Sequence, residues 1–327
     1  MNRIWIKNPL AILAEENAGG GLVIEQDRIV ELVPGGKEPS LPCAQVFDAS
    51  EHVVTPGLVN CHHHFYQTLT RALPAALNQE LFPWLQSLYP VWAGLTPEMI
   101  SLSSRLALAE LMLSGCTTAS DHHYLFPRGL EQAIDQQVEA AQQLGIRVVL
   151  TRGSMSLGQA DGGLPPQTVV QKESDIIADS ERLIKTHHQS GTGAMVQIAL
   201  APCSPFSVTP DIMRASAELA QLYGVGLHTH LAETLDEETF CEQQFGMHTV
   251  DYLESVGWLR PGTWLAHGIH FNDDEIQRLG AASIGVSHCP CSNMVLASGI
   301  CRTLELEAAG CHVGLGWMVP RPTMAPI

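Results

Sequence analysis

Basic residues are scarce in this sequence. Its 327 residues include 17 Lys and Arg against 34 Asp and Glu, which gives a formal net charge of −17. Because proteins bind nucleic acid largely through Lys and Arg placed against phosphates, this balance argues against a nucleic-acid partner. We expect a small molecule as the substrate.

Long apolar runs and a cysteine framework are also missing. No stretch approaches the roughly 20 apolar residues of a membrane-spanning helix, and no signal segment precedes Asn8 and Pro9. The nine cysteines are spread along the chain instead of forming a compact even-numbered set. We therefore expect a protein of the reducing cytoplasm that does not insert into a membrane.

Histidine, by contrast, is abundant. The chain has 15 histidines and five tyrosines, and several of the histidines are adjacent or alternate with one other residue. The hydrophobic fraction of 45% and the charged fraction of 16% are typical of a folded globular protein. The placement of the histidines therefore carries the functional argument.

The chain changes its pattern after about fifty residues. Residues 3–7 alternate apolar and polar side chains, and residues 22–25 and 28–33 flank Gln26 and Asp27 as a predicted hairpin. From Val53 onward, short apolar runs alternate with helical stretches. The predicted strands of this second part are residues 56–61, 117–122, 147–151, 196–201, 226–230, 264–267, 283–287 and 313–316. Eight such units predict an α/β fold, a TIM-like (β/α)8 barrel, with a small N-terminal β unit.

Two histidine clusters follow predicted strands. His62 and His64 are two residues apart and share one face, whereas His63 points away. In the second cluster only one of His228 and His230 should face the barrel axis, and we assign His230 as the ligand. Imidazoles at converging strand ends predict a metal site, with His228 either orienting a ligand or serving structure alone.

These segments resemble a known family. Residues 55–64 resemble the first-strand signature of the amidohydrolase superfamily. Residues 228–234, 266–268 and 287–290 are similar to motifs of its cytosine, guanine and s-triazine hydrolase branch. The resemblance covers essentially the whole chain, and it implies a barrel fold and a single bound Zn²⁺ or Fe²⁺, with zinc preferred.

The resemblance also implies roles for individual residues. Glu233 would carry a proton to the ring nitrogen beside the attacked carbon, and His267 would orient the nucleophilic water. The alternatives are that Glu233 is a solvated acid at the start of a helix and that His267 is a structural residue. His122 is left open between substrate contact and loop packing, as is His123. His288 resembles a residue that supports a ligand.

Residues 65–71, 82–85, 120–124 and 292–299 resemble 8-oxoguanine deaminases more closely than triazine enzymes. Gln67 offers the donor and acceptor that an oxopurine edge needs, Arg152 is placed to bind a carbonyl, and Trp84 is placed to cover the ring. The alternatives are that Gln67 caps a helix, that Arg152 forms an ion pair with an acid at the barrel rim, and that Trp84 belongs to the core. Cys203 is a further candidate for the pocket wall.

The last residues depart from the family pattern. After residues 314–316 the family continues with Val-Asp-Gly, whose Asp is a further metal ligand and base, whereas Trp317, Met318 and Val319 follow here. Trp and Met have one codon each, and TGGATGGTN read one base earlier encodes Val, Leu or Met, then Asp and Gly. We therefore expect a frameshift that puts Met318 in the slot of the missing metal Asp. A diverged, Pro-rich terminus is the alternative.

These expectations combine into one hypothesis. The predicted domains are residues 1–54 as the N-terminal part of a β-sandwich, 55–316 as the barrel and 317–327 as an aberrant tail, with the C-terminal part of the barrel and of the sandwich missing. The implied reaction converts 8-oxoguanine to urate and ammonia. An s-triazine, guanine or pterin aminohydrolase and an inactive truncated product are the alternatives. The full-length family form is expected to be a homo-oligomer.

Overall fold

The chain forms two compact units with a boundary after Gly57. The computed structural model describes residues 2–13, 15–71 and 73–317. Met318, which the sequence places in the slot of the metal-binding Asp, lies outside the described residues.

The N-terminal unit is a small β structure. Its strands are β1 (Arg3–Lys7), β2 (Ala11–Ile12), β3 (Gly21–Glu25), β4 (Arg28–Val33), β5 (Gln45–Asp48) and β6 (Val53–Val54). Four of them form a sheet of order β4-β3-β1-β5, and β2 pairs with β6. The predicted hairpin is confirmed, because β3 and β4 pair antiparallel with Glu25 opposite Arg28. Trp5, Val23 and Val33 form the core of this unit.

The second unit contains eight parallel strands. They are β7 (Leu58–Asn60), β8 (Cys116–His123), β9 (Arg147–Ser154), β10 (Val196–Pro202), β11 (Leu227–Leu231), β12 (Thr263–His267), β13 (Gly285–His288) and β14 (His312–Leu315). Each strand pairs with its neighbours in chain order. The eight strands predicted from the sequence are therefore confirmed, and with them the TIM-like barrel.

The barrel closes between its first and last strands. The amide of Cys61 donates to the Leu315 carbonyl at 2.8 Å, and the amide of Trp317 donates to the His62 carbonyl at 2.7 Å. These bonds form a short seam beside His62. Closure brings the carboxyl ends of non-consecutive strands to one place, which an open sheet cannot do.

Helices connect the strands. They are α1 (Leu81–Trp92), α2 (Pro97–Leu113), α3 (Ala133–Leu144), α4 (Glu173–His187), α5 (Pro210–Tyr223), α6 (Leu235–Phe245), α7 (Thr249–Ser255), α8 (Asp273–Ala281), α9 (Pro290–Val295) and α10 (Thr303–Ala309). Short 3₁₀ helices span Phe65–Thr70, Pro74–Ala76, Gln159–Asp161 and Gln167–Val169. The hydroxyls of Thr96 and Thr209 accept from backbone amides three residues later and so cap the starts of α2 and α5. In the described ranges, no helix has the length and apolar character needed to span a bilayer.

Gly280 lets two helices of the barrel unit pack closely. A Cβ atom at this position of α8 would lie 2.0 Å from the Ala309 carbonyl oxygen at the end of α10. We expect Gly280→Ala to lower the free energy of unfolding by about 1–3 kcal/mol, because backbone must move to relieve the overlap. Urea denaturation measures the change. The exposed Gln277→Ala on the same helix should stay within about 0.5 kcal/mol, and equal stability of both variants would contradict close packing.

Candidate metal centre

Four histidine rings gather inside the barrel. His62 and His64 follow β7, His122 lies in β8 and His230 in β11. One ring nitrogen of each lies within 4.8 Å of one ring nitrogen of every other, and all four side chains are buried. The carboxamide of Asn60 accepts from the His62 amide at 3.1 Å and so fixes the start of the loop after β7. The three predicted metal histidines are therefore close together.

Backbone carbonyls determine which nitrogens of His64 and His230 carry hydrogen. Nδ1 of His64 is 2.6 Å from the His122 carbonyl, and Nδ1 of His230 is 2.7 Å from the Cys203 carbonyl. A carbonyl only accepts, so each Nδ1 donates and each Nε2 keeps its lone pair. These two Nε2 atoms lie 3.1 Å apart. Two lone pairs at this distance repel unless a cation lies between them.

A histidine relay fixes the hydrogen on His62 in the same way. Nδ1 of His228 is 2.8 Å from the Trp264 carbonyl and must donate to it. Nε2 of His228 therefore accepts, and Nδ1 of His62 donates to it at 2.8 Å. The remaining Nε2 of His62 carries a lone pair and has no hydrogen-bond partner among the described residues. His228 thus orients a predicted ligand, which was one of its two interpretations.

The three rings fit a divalent transition metal. Burial lowers the pKa of His230 to about 4 and holds the pKa values of His62 and His64 well below the usual value, so all three are neutral near pH 7. Metal binding requires the neutral form, and imidazole nitrogens coordinate zinc at about 2.0–2.1 Å. Three Nε2 lone pairs that are shut off from water are satisfied by such an ion.

The relay through His228 yields a prediction. His228→Phe removes the acceptor that holds the His62 tautomer, and we expect metal affinity to fall about 10–100-fold. His228→Gln offers an amide oxygen near the position of Nε2 and should recover part of the loss. Competition with a chromophoric chelator measures the affinity, with the exposed His52→Ala as the control. Wild-type affinity in His228→Phe would show that the relay does not support the ion.

Glu233 and His267 form a pair beside the histidines. An oxygen of Glu233 lies 3.5 Å from Nε2 of His267, and both side chains are buried. Nδ1 of His267 is 2.8 Å from the Asn293 Oδ1, so with that oxygen accepting, Nδ1 donates and Nε2 keeps its lone pair. Burial raises the pKa of Glu233 well above its usual value and lowers the pKa of His267 to about 3. Burial therefore favours the protonated form of Glu233 and the neutral form of His267 beside it.

The backbone of this pair is held in an unusual conformation. Ala232 and His267 have φ angles of 53° and 73°, in the left-handed region that residues other than glycine rarely adopt. The buried carboxyl of Glu237 accepts from the amides of Ala232 at 3.1 Å and Glu233 at 3.2 Å. Glu237 thus fixes the turn that aims Glu233, in keeping with stored strain at functional sites. Its position four residues after Glu233, in the first turn of the following helix, could have predicted this contact from the sequence.

The candidate substrate residues fall into separate environments. Gln67 and Trp84 line one small cavity of about 40 Å³. Cys203 is buried against the metal centre, with its Sγ 3.9 Å from Nδ1 of His230. Arg152 contacts Asp179, Gln171 and the Gly153 carbonyl, and its guanidinium packs on the ring of Phe126.

Arg152 therefore makes the ion pair that was the alternative to carbonyl binding. Its Nε lies 2.6 Å from an oxygen of Asp179, in α4. Asp179 also accepts from Arg182, so the acid is shared by two cations. The guanidinium of Arg152 therefore links β9 to α4. Gln67 and Trp84, in contrast, line a cavity that a ligand could enter.

A larger cavity lies elsewhere in the barrel unit. It has about 500 Å³ and is lined by residues near the amino ends of several strands, among them Val149, Gln197 and His312. Trp264 lines it and also stacks on His228 at 4.5 Å. Because catalytic groups of barrel enzymes lie at the carboxyl ends of the strands, we assign the chemistry to the histidine cluster and not to this larger space.

An eight-stranded parallel barrel with neutral imidazoles and a buried acid at its strand ends defines the class of metal-dependent barrel hydrolases. The sequence profile described as "Amidohydrolase family" matches residues 53–317. The chain belongs to the amidohydrolase family and thereby to the hydrolases that act on carbon–nitrogen bonds.

Two individual proteins are similar to the chain over nearly its whole length. The chain is 69% identical to an 8-oxoguanine deaminase of Pseudomonas aeruginosa over 97% of its own length and 71% of the relative's. It is 35% identical to a hydroxydechloroatrazine ethylaminohydrolase of Pseudomonas sp. strain ADP, over 95% of this chain and 64% of that protein. The chain thus spans about two thirds of the length of these relatives.

A solved structure shows the same fold. The zinc-complexed atrazine chlorohydrolase of Arthrobacter aurescens TC1 superposes with a TM-score of 0.88 at 29% identity, over 97% of this chain and 72% of that one. The barrel and the N-terminal β unit described above are therefore features shared with amidohydrolases.

Proposed function

We propose that this chain hydrolyses the exocyclic amino group of an oxopurine, converting 8-oxoguanine and water to urate and ammonia. The observation that carries the proposal is the buried pair of Glu233 and His267 beside the three imidazoles of His62, His64 and His230. The 69% identity to an 8-oxoguanine deaminase supports the choice of ring.

The chain's own residues supply the proton transfers. A divalent ion held by His62, His64 and His230 supplies the Lewis acidity that makes water nucleophilic near neutral pH. His267 accepts a hydrogen bond at Nε2 and so orients the attacking water. Glu233 gives its proton to the ring nitrogen beside the attacked carbon, which neutralises the charge that develops there as the C–O bond forms. The resulting carboxylate takes a proton from the attacking water and passes it to the exocyclic nitrogen, so that the C–N bond breaks and ammonia leaves. The remaining hydroxyl returns its proton to Glu233 as the carbonyl forms.

We assign recognition of the oxopurine ring to the small cavity that Gln67 and Trp84 line. The amide of Gln67 offers both a donor and an acceptor to the oxopurine edge, and the indole of Trp84 covers its flat face. Cys203 is assigned a contact on the side of the metal centre, where its Sγ lies 3.9 Å from Nδ1 of His230. Arg152 would act on the substrate only through β9, since its nitrogens are taken by other partners.

Further parts of the proposal concern the protein as a whole. One zinc ion per chain is proposed, because the three neutral nitrogens suit zinc and the zinc-complexed chlorohydrolase shares the fold. We also propose that the protein is cytoplasmic and that the full-length family form is a homo-oligomer. Metal analysis of the purified protein should return about one zinc per chain.

Ammonia release from a panel of rings tests the function. We expect kcat/KM to be highest for 8-oxoguanine and lower for guanine, isoxanthopterin and melamine. A preference for melamine or isoxanthopterin would favour the related aminohydrolases, which share the same catalytic groups but not the ring contacts. Bound metal with no turnover on any ring would favour a non-catalytic product and overturn the proposal.

A further inference from the structure

His122 is one of the four converging histidines, and one of its ring nitrogens has no hydrogen-bond partner among the described residues. Its Nε2 lies 3.0 Å from the Ala201 carbonyl and must donate to it. The lone pair is therefore on Nδ1, which is buried and has no hydrogen-bond partner among the described residues. An unsatisfied buried acceptor costs about 1–3 kcal/mol, so a partner for this nitrogen is expected.

The histidine rings around His122 offer no hydrogen to that lone pair. Its ring stacks on His230 with centroids 4.6 Å apart, and the rings of His228, His64 and His62 lie at 4.8 Å, 5.5 Å and 5.7 Å. The Nδ1 of His228 donates to a backbone carbonyl, and its Nε2 accepts from His62. His62, His64 and His230 each keep an Nε2 lone pair, because the Nδ1 hydrogen of each is taken by another acceptor. A cation satisfies all four nitrogens, whereas a hydrogen-bond donor satisfies one.

The backbone holds His122 in place for this role. Its amide donates to the His63 carbonyl at 2.6 Å, and its carbonyl accepts from Nδ1 of His64 at 2.6 Å. The residue is therefore fastened to the loop that carries His62 and His64 on both sides of its Cα. Such fixation lowers the ordering cost of bringing a further ligand to an ion.

We propose that His122 is a fourth nitrogen donor, through Nδ1, to the ion that His62, His64 and His230 bind. The inference rests on the metal site of the proposed function and deepens it. Catalytic zinc sites commonly have three protein ligands and a water, and the ion sometimes becomes five-coordinate in the transition state. Four imidazoles leave one position for water in a five-coordinate ion.

His123 provides a matched control. It is the next residue of β8 and is equally buried, and its Nε2 also donates to a carbonyl, that of Leu125 at 2.7 Å. Its ring packs against Tyr66 and Phe126 instead of the histidine cluster. His123 also lies outside the group of four converging nitrogens. Loss of His123 therefore removes a buried imidazole without removing a donor.

Cobalt substitution tests the assignment in the unaltered chain. In the paramagnetic Co²⁺ protein, each coordinated histidine gives a strongly shifted resonance from its remaining ring N–H. We expect four such resonances. Three resonances would overturn the assignment of His122 and leave the three-histidine site intact, whereas no Co²⁺ binding would overturn the metal site of the proposed function as well.

Variants identify the fourth resonance. His122→Phe should remove one shifted resonance, change the visible Co²⁺ spectrum and weaken Co²⁺ binding at least 10-fold. His122→Asn, whose amide oxygen lies near the position of Nδ1, should recover part of the affinity. His123→Phe should leave the spectrum and the resonances unchanged. Loss of the same resonance in His123→Phe and not in His122→Phe would refute the proposal.

Discussion

Replacing His230 with alanine removes metal binding. We expect the affinity for Zn²⁺ to fall by more than the roughly 100-fold that loss of a residue orienting a ligand can cause, because a donor itself is lost. Nε2 of His230 lies 3.1 Å from Nε2 of His64, close enough for one ion to contact both nitrogens. Deamination should be lost together with the metal.

Metal content after dialysis and chelator competition measure this effect. His312→Ala serves as the control, because His312 is exposed on β14 of the same unit. Full zinc content in His230→Ala with the fold intact would refute the assignment of His230. A lower melting temperature of the metal-free His230→Ala alone would not, because the comparison is made at the level of bound zinc.

Glu233→Gln keeps the metal and loses the reaction. Glutamine preserves shape and hydrogen bonding but has no proton to give, so we expect kcat to fall about 10²–10⁴-fold. Burial raises the pKa of Glu233 well above its usual value, which favours the protonated acid that the reaction needs. Activity of the unaltered chain should therefore decline as pH rises through that raised pKa, because the proton donor is lost above it.

The pH profile separates this role from a structural one. In Glu233→Gln the residual activity should no longer show the alkaline decline, while zinc content stays at the level of the unaltered chain. The exposed Glu242→Gln, on the following helix α6, should keep both activity and profile. An unchanged kcat in Glu233→Gln would remove Glu233 from the reaction.

Alternation along strands predicted His62 and His64 as neighbours and brought His230 to the same strand ends. The expectation that only one of His228 and His230 faces the barrel axis is wrong, because both rings lie with centroids 5.0 Å from that of His62. Strand ends in a barrel converge, and residues two apart face the same way, so a local pattern has a long-range consequence. The sequence could not show which nitrogen of each ring is free. That depends on carbonyls such as those of Cys203 and Trp264, which belong to other strands and reach the rings only after folding.

The same reason explains the residues that were left open or missed. The ring of His122 is held beside the cluster by the Ala201 carbonyl of β10, two strands away, to which its Nε2 donates. Arg152 ends a strand, as a substrate contact would, but Asp179 on α4 binds it. Periodicity gives the face of a strand, whereas the partner on that face is decided by side-chain lengths and by the neighbouring element.

The seam between β14 and β7 connects metal binding with the opening motions of the barrel. Its hydrogen bonds join Cys61 to Leu315 and Trp317 to His62, and His62 is also a proposed ligand. Local opening of the seam would pull His62 from the ion. An ion present at 100 times its Kd raises the free energy of that opening by about 2.7 kcal/mol. Amide hydrogen exchange at Cys61 and Trp317 should therefore slow about 100-fold when the ion is bound. The ion that activates water would then also keep the barrel closed.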